Sequence, residues 1–101
     1  MDLHVGASAT LRNAADLRQR YIEELEAAGD IIIDIADVTT VDLSFLQSTH
    51  ALRAAAAELG RTVRLRSPAP APVAALLERA GFLAAATPQD LDFWFHGEAV
   101  Q

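Results

Sequence analysis

Two hydrophobic periods run along this chain. Ala14, Leu17, Tyr21, Leu25 and Ala28 recur at helical spacing, with Arg18, Arg20, Glu23, Glu24 and Glu26 mostly off that stripe. This pattern predicts an amphipathic helix with a solvated outer face. Asn13 stands before it as a cap, Asp16 suits its positive end, and Gly29 ends it. Ile31, Ile32, Ile33 and Ile35 then form a β-branched run interrupted only by Asp34, which predicts a strand buried on both faces. After a polar stretch the period returns to that of a helix. Phe45, Thr49, Leu52, Ala56 and Leu59 fall on one face and Gly60 closes the segment.

The flanks extend the alternation. Leu3-His4-Val5 reads as a short edge strand and residues 6–10 as a loop. Thr62 to Arg66 alternates polar and apolar, as a half-exposed or edge strand does. Ser67 to Pro72 is a stiff proline loop whose last proline fits the first turn of a third helix. That helix carries Val73, Leu76, Leu77 and Ala80 on its apolar face and ends at Gly81. Residues 82–85 read as a last short strand. Thr87-Pro88 opens a terminal helix packed through Leu91, Trp94 and Phe95, and Gly97 to Gln101 read as frayed. Three adjacent aromatics cannot all face inward, so one or two of Phe93, Trp94 and Phe95 are expected at the surface. The sum is an α/β fold, with a small mixed, mostly parallel sheet of three or four strands and about four helices. Residues 1–101 form a single domain.

Composition narrows the chemistry. Just over half of the 101 residues are apolar, enough for one core at this size. A net charge of −6 argues against nucleic acid. All eight cationic residues are arginine, which excludes chemistry that needs a lysine ammonium, and the absence of cysteine excludes thiolate sites and disulfides. No signal segment or membrane-length apolar run is visible, so a soluble cytoplasmic protein is expected. His4, His50 and His96 show no metal-ligand spacing. Ser44 and His50 lie six residues apart on different helix faces, so with Asp42 they make no triad. Asp34 lacks the companion lysine and acidic pair of a receiver phosphoacceptor, and reads instead as a strand-end or hydrogen-bonded carboxylate. No enzyme, cofactor or metal is expected.

Residues 34–46, Asp-Ile-Ala-Asp-Val-Thr-Thr-Val-Asp-Leu-Ser-Phe-Leu, resemble without a gap the signature of STAS domains, the anti-sigma-factor antagonists and related domains of sulfate transporters. The likeness extends more weakly from Leu3 to Phe82. It implies helices on one face of a small sheet, and a non-enzymatic switch docking a regulatory protein such as an anti-sigma factor or histidine-kinase-like protein. In phosphorylated antagonists the residue after the conserved Asp that matches Asp42 is the acceptor serine. Here it is Leu43, and Phe45 replaces the family glycine. The Asp-Leu-Ser-x-x-Gln run resembles a divergent subgroup associated with chemotaxis and two-component signalling.

The expected partner-binding residues are therefore Thr39, Thr40, Asp42, Leu43, Ser44, Phe45 and Gln47. Ser44 has two readings: a displaced phosphoacceptor, or, as the favoured one, the cap of the second helix through Ser44-x-x-Gln47. On the capping reading Leu46 faces the sheet and Leu43 lies in the loop. Asp42 either orients a partner or accepts loop N–H groups. The leading function is an anti-sigma-factor-antagonist-like signalling module. The alternative is a constitutive small subunit of a larger assembly, such as a lipid-transport complex.

Overall fold

The computed structural model describes residues 2–27 and 29–96. Ala28 in the first apolar stripe and the expected fraying of Gly97 to Gln101 lie outside them. The chain runs β1 (Leu3–His4), β2 (Ser8–Ala9), a short 3-10 turn (Leu11–Asn13), α1 (Ala14–Glu26), β3 (Ile31–Asp34), β4 (Thr40–Val41), α2 (Leu43–Glu58), β5 (Val63–Leu65), α3 (Ala71–Arg79) and α4 (Pro88–Phe95). β1, β3 and β5 form a parallel sheet in that order, and β2 pairs in parallel with β4. Parallel strands need crossovers, and the helices supply them. This is the mostly parallel α/β architecture that the alternation of periods predicts.

Ile31, Ile33 and Ile35 are buried together with Leu3, Leu65, Leu46, Leu52, Val73 and Leu77 in one core. Ile32 and Asp34 point to the other face and are only half-buried. β3 is thus buried on one face, contrary to the two-faced burial its isoleucine run predicts. His4, Asp34 and Arg66 stand on that second side, where His4 Nδ1 meets Asp34 Oδ2 at 3.4 Å. β1 and β5 are the sheet edges, as expected. Gly60 and Gly81 end α2 and α3 with φ of 69° and 79°, a region where a Cβ is costly.

The structure departs from the sequence expectation at four further places. Residues 6–10 are not all loop, because Ser8–Ala9 forms β2, held by partners more than 30 residues away. The apolar run 82–85 forms turns rather than a strand. It follows the α3 cap directly, where Phe82 N–H bonds Leu77 O at 3.0 Å and keeps the backbone curled. Leu59 is the C-cap of α2 and leaves the core face, 59 % exposed. Finally, Phe93, Trp94 and Phe95 are all buried. α4 reaches the body from more than one side: Trp94 meets Phe45 edge-on at 6.1 Å, the Arg53 guanidinium covers the Phe93 ring at 4.4 Å, and Trp94 O accepts the Ala69 N–H at 2.7 Å.

Candidate functional site

The stretch from Thr39 to Gln47 carries the chain from β4 into α2. Its backbone is stitched to the N-terminal segment. Thr39 N–H and Thr40 N–H both donate to Ala7 O, at 2.8 and 3.1 Å, and Asp42 N–H donates to Ala9 O at 3.2 Å. Thr39 Oγ1 adds a bond to the same Ala7 carbonyl. These contacts satisfy the loop's polar groups and hold the Thr39 and Thr40 side chains at the surface.

Asp42, not Ser44, is the N-cap of α2. Its Oδ1 accepts Ser44 N–H at 3.0 Å and the Ser44 hydroxyl, while Oδ2 accepts Leu11 N–H at 2.8 Å. The Ser44 hydroxyl, then the Leu11 and Ser44 amides, hold the Asp42 carboxyl below the usual carboxylate range against a smaller opposing effect of burial. The expected Ser44-x-x-Gln47 capping box therefore gives way to a carboxylate that suits the positive helix end better. Leu43 becomes the first helical residue and Ser44 the second. Of the two readings of Asp42, the geometry supplies the acceptor of loop N–H groups.

Leu43 is exposed at 44 %, whereas Leu46 and Phe45 are each 1 % exposed. Phe45 lies in the core against Trp94, so it is not available at the surface and its place among the partner-binding residues is corrected. Gln47 is exposed and Ser44 half-buried. Thus Thr39, Thr40, Leu43 and Gln47 are exposed along this stretch, and Asp42 ties it to the 3-10 turn before α1. His50 is exposed on α2, and the Ser44 hydroxyl points to Asp42 rather than to it.

A family model described as "Mlab, STAS domain" matches residues 1–84. The chain belongs to the STAS domain family. No curated protein matches the chain, and no solved structure does. Within this STAS domain the matched stretch takes in the whole sheet and α1 to α3. α4 lies beyond it.

The STAS domain also shows surface residues that pattern reading passed over. Leu11 is 74 % and Ile22 40 % exposed. With Arg18, Gln47, Ala51 and Ala55 they line a groove of about 480 Å³ between α1 and α2. The groove is apolar apart from a few polar rims and adjoins the α2 N-terminus through Ser44 and Gln47. One signal was available: Ile22 is a large apolar residue one position off the Leu17, Tyr21, Leu25 stripe. Among the described residues no helix is long and apolar enough to cross a membrane.

Proposed function

We propose that this STAS domain is a non-catalytic module that docks a protein partner on the β4–α2 loop and the first turn of α2. Leu43, Ser44 and Gln47 contribute from the helix, and Thr39 and Thr40 from the loop. The observation that carries this reading is exposed apolar surface at the start of α2: Leu43 is exposed there, and the next residue, Ser44, lines with Gln47 the groove that holds Leu11 and Ile22. Contiguous exposed apolar surface marks interaction sites in soluble domains. In the signalling form, the domain acts as an anti-sigma-factor antagonist does, binding a regulatory protein. With Leu43 at the acceptor position and the Ser44 hydroxyl engaged by Asp42, control comes from partner availability rather than from phosphate on this loop.

The same exposed leucines favour a second reading, in which the domain is a constitutive subunit of a larger assembly such as a lipid-transport complex. A surface that is permanently covered can be this apolar without an aggregation cost. One experiment tests both. A photo-crosslinking residue is placed at Gln47, and at Glu78 on α3 as a control, and products formed in cells are identified. Capture of one partner from Gln47 alone supports docking. Exchange of that purified partner within minutes of dilution marks a switch; a complex that does not exchange marks a subunit. Equal products from both positions would remove the site.

A further inference from the structure

The outer edge of β5 carries features that the docking surface does not use. β5 is an edge strand of the β1-β3-β5 sheet. Thr62 O accepts Ile31 N–H at 2.9 Å, and Arg66 N–H donates to Ile33 O at 2.9 Å. With the register Ile32 opposite Arg64, the backbone groups of Arg64 face β3, and those of Val63 and Leu65 face outward. The Leu65 carbonyl is met by His96 Nε2 at 2.9 Å. Among the described residues, no partner is seen for the Val63 N–H, the Val63 carbonyl or the Leu65 N–H.

Beside this edge runs a groove of about 590 Å³ between β5 and α4, with Ile32 and Phe93 as its apolar part. Three of the chain's eight arginines, Arg53, Arg64 and Arg66, line it, in a protein of net charge −6. Arg53 pairs with Asp90 and Arg66 with Asp2, and Asp92 is also in the wall. Arg64 is exposed and makes no ion pair among the described residues. Arg64 and Arg66 stand on the same open face of the sheet as Ile32, because side chains alternate along a strand.

We infer that this edge receives an extended acidic segment of another protein, added to the sheet as a fourth strand. Main-chain bonds to Val63 and Leu65 supply the pairing, as in other cases of strand addition. Arg64, the arginine of the open face with no ion pair among the described residues, selects a carboxylate on that side of the incoming segment, with Ile32 beside it, and the intervening positions point to the Phe93 side of the groove. His96, holding the Leu65 carbonyl, limits the added strand at its far end. The site is distinct from the α2 docking surface, so the two can be occupied or lost separately.

The test is a calorimetric titration of the full chain with a capped peptide of alternating glutamate and valine, and with the lysine–valine counterpart. Amide hydrogen exchange is read at Val63 and Leu65. Saturable binding of the glutamate peptide, with slowed exchange at both amides, is expected. Arg64→Glu, an exposed change, should weaken binding at least tenfold. Val63→Pro removes an outward amide without removing a sheet bond, and should abolish binding. If that variant fails to fold, Arg64→Glu alone decides. The inference is overturned if the glutamate peptide does not bind, if the lysine peptide binds as well, or if binding leaves the two amides unprotected.

Discussion

Asp42 ties two distant segments together: one carboxylate oxygen accepts the Leu11 N–H at 2.8 Å, and the other caps α2 through Ser44 N–H at 3.0 Å. A single side chain thus fixes the turn before α1 and the start of α2. Asp42→Ala should cost about 1–2 kcal/mol, the range of a lost helix cap, and should loosen the turn at Leu11 as well. Asp42→Asn keeps an acceptor and should cost less. Melting curves give the order, and faster amide exchange at Leu11 in the alanine variant alone checks the second contact.

The acid side of the stability profile should follow from three carboxylates. Asp42 is held low chiefly by the Ser44 hydroxyl, Asp34 by the Ala36 amide, and Asp90 by the Thr87 amide. Each folded-state pKa lies below its unfolded value, so between the two the unfolded chain binds more protons. Their contribution is complete above the ordinary carboxylate range and is lost as pH falls through the lowered folded values. Asp42→Asn should flatten this acid limb in a denaturant series run from neutral pH downward. An unchanged limb would show that Asp42 does not contribute to it.

Tyr21 sets the opposite limb. Its hydroxyl bonds Thr49 Oγ1 at 2.9 Å inside the core, and burial, opposed by that bond, pushes its pKa from 10.0 up to about 12. Here the folded state keeps its proton longer than the unfolded chain. Stability is therefore intact below pH 10.0 and declines as pH rises toward about 12. Tyr21→Phe should cost about 1–2 kcal/mol at neutral pH through the lost buried bond, and should remove part of the alkaline decline. Far-UV melts at pH 7 and at alkaline pH measure both.

Much of this was legible because it is periodic. The stripes of α1, α2 and α3, the isoleucine strand and the proline-led α4 each repeat over enough residues to outweigh local noise. The Ser8–Ala9 and Thr40–Val41 pair could not be read, since two-residue strands have no period and rest on the Ala7 carbonyl receiving Thr39 and Thr40. The helix start was misplaced because Ser44-x-x-Gln47 is a valid cap pattern, and only the fold shows Asp42 already oriented by Leu11. The burial of all three aromatics is not legible in α4 alone, because the cover of Phe93, the Arg53 side chain, comes from another helix. Of the site, the loop and Leu43 could be read, but the groove with Leu11 and Ile22 needs two helices side by side.

The three buried aromatics make α4 part of the fold, although it lies beyond the family match. Trp94→Ala should cost about 3–5 kcal/mol, as large core truncations do, through loss of the Phe45 and Phe93 contacts. Truncation before Thr87 should be at least as severe. A melting temperature unchanged by either would mean that α4 does not hold the core.

Leu43 and Leu46 separate binding from folding. They lie on one turn of α2, yet Leu43 is 44 % exposed and Leu46 is 1 % exposed. Leu43→Glu places a carboxylate at the first helical position, where the helix dipole favours negative charge. It should leave stability within about 0.5 kcal/mol, as surface changes do. At the proposed docking surface it replaces an apolar contact by a charge that must be desolvated, and it should weaken the partner identified by crosslinking at least tenfold. Leu46→Glu buries that charge among core side chains, and the domain should not fold. The measurements are a melting curve on both variants and a titration of Leu43→Glu with that partner. A stable Leu43→Glu that binds as tightly as the parent would take Leu43 out of the interface. A folded Leu46→Glu would contradict the position of α2 on the sheet.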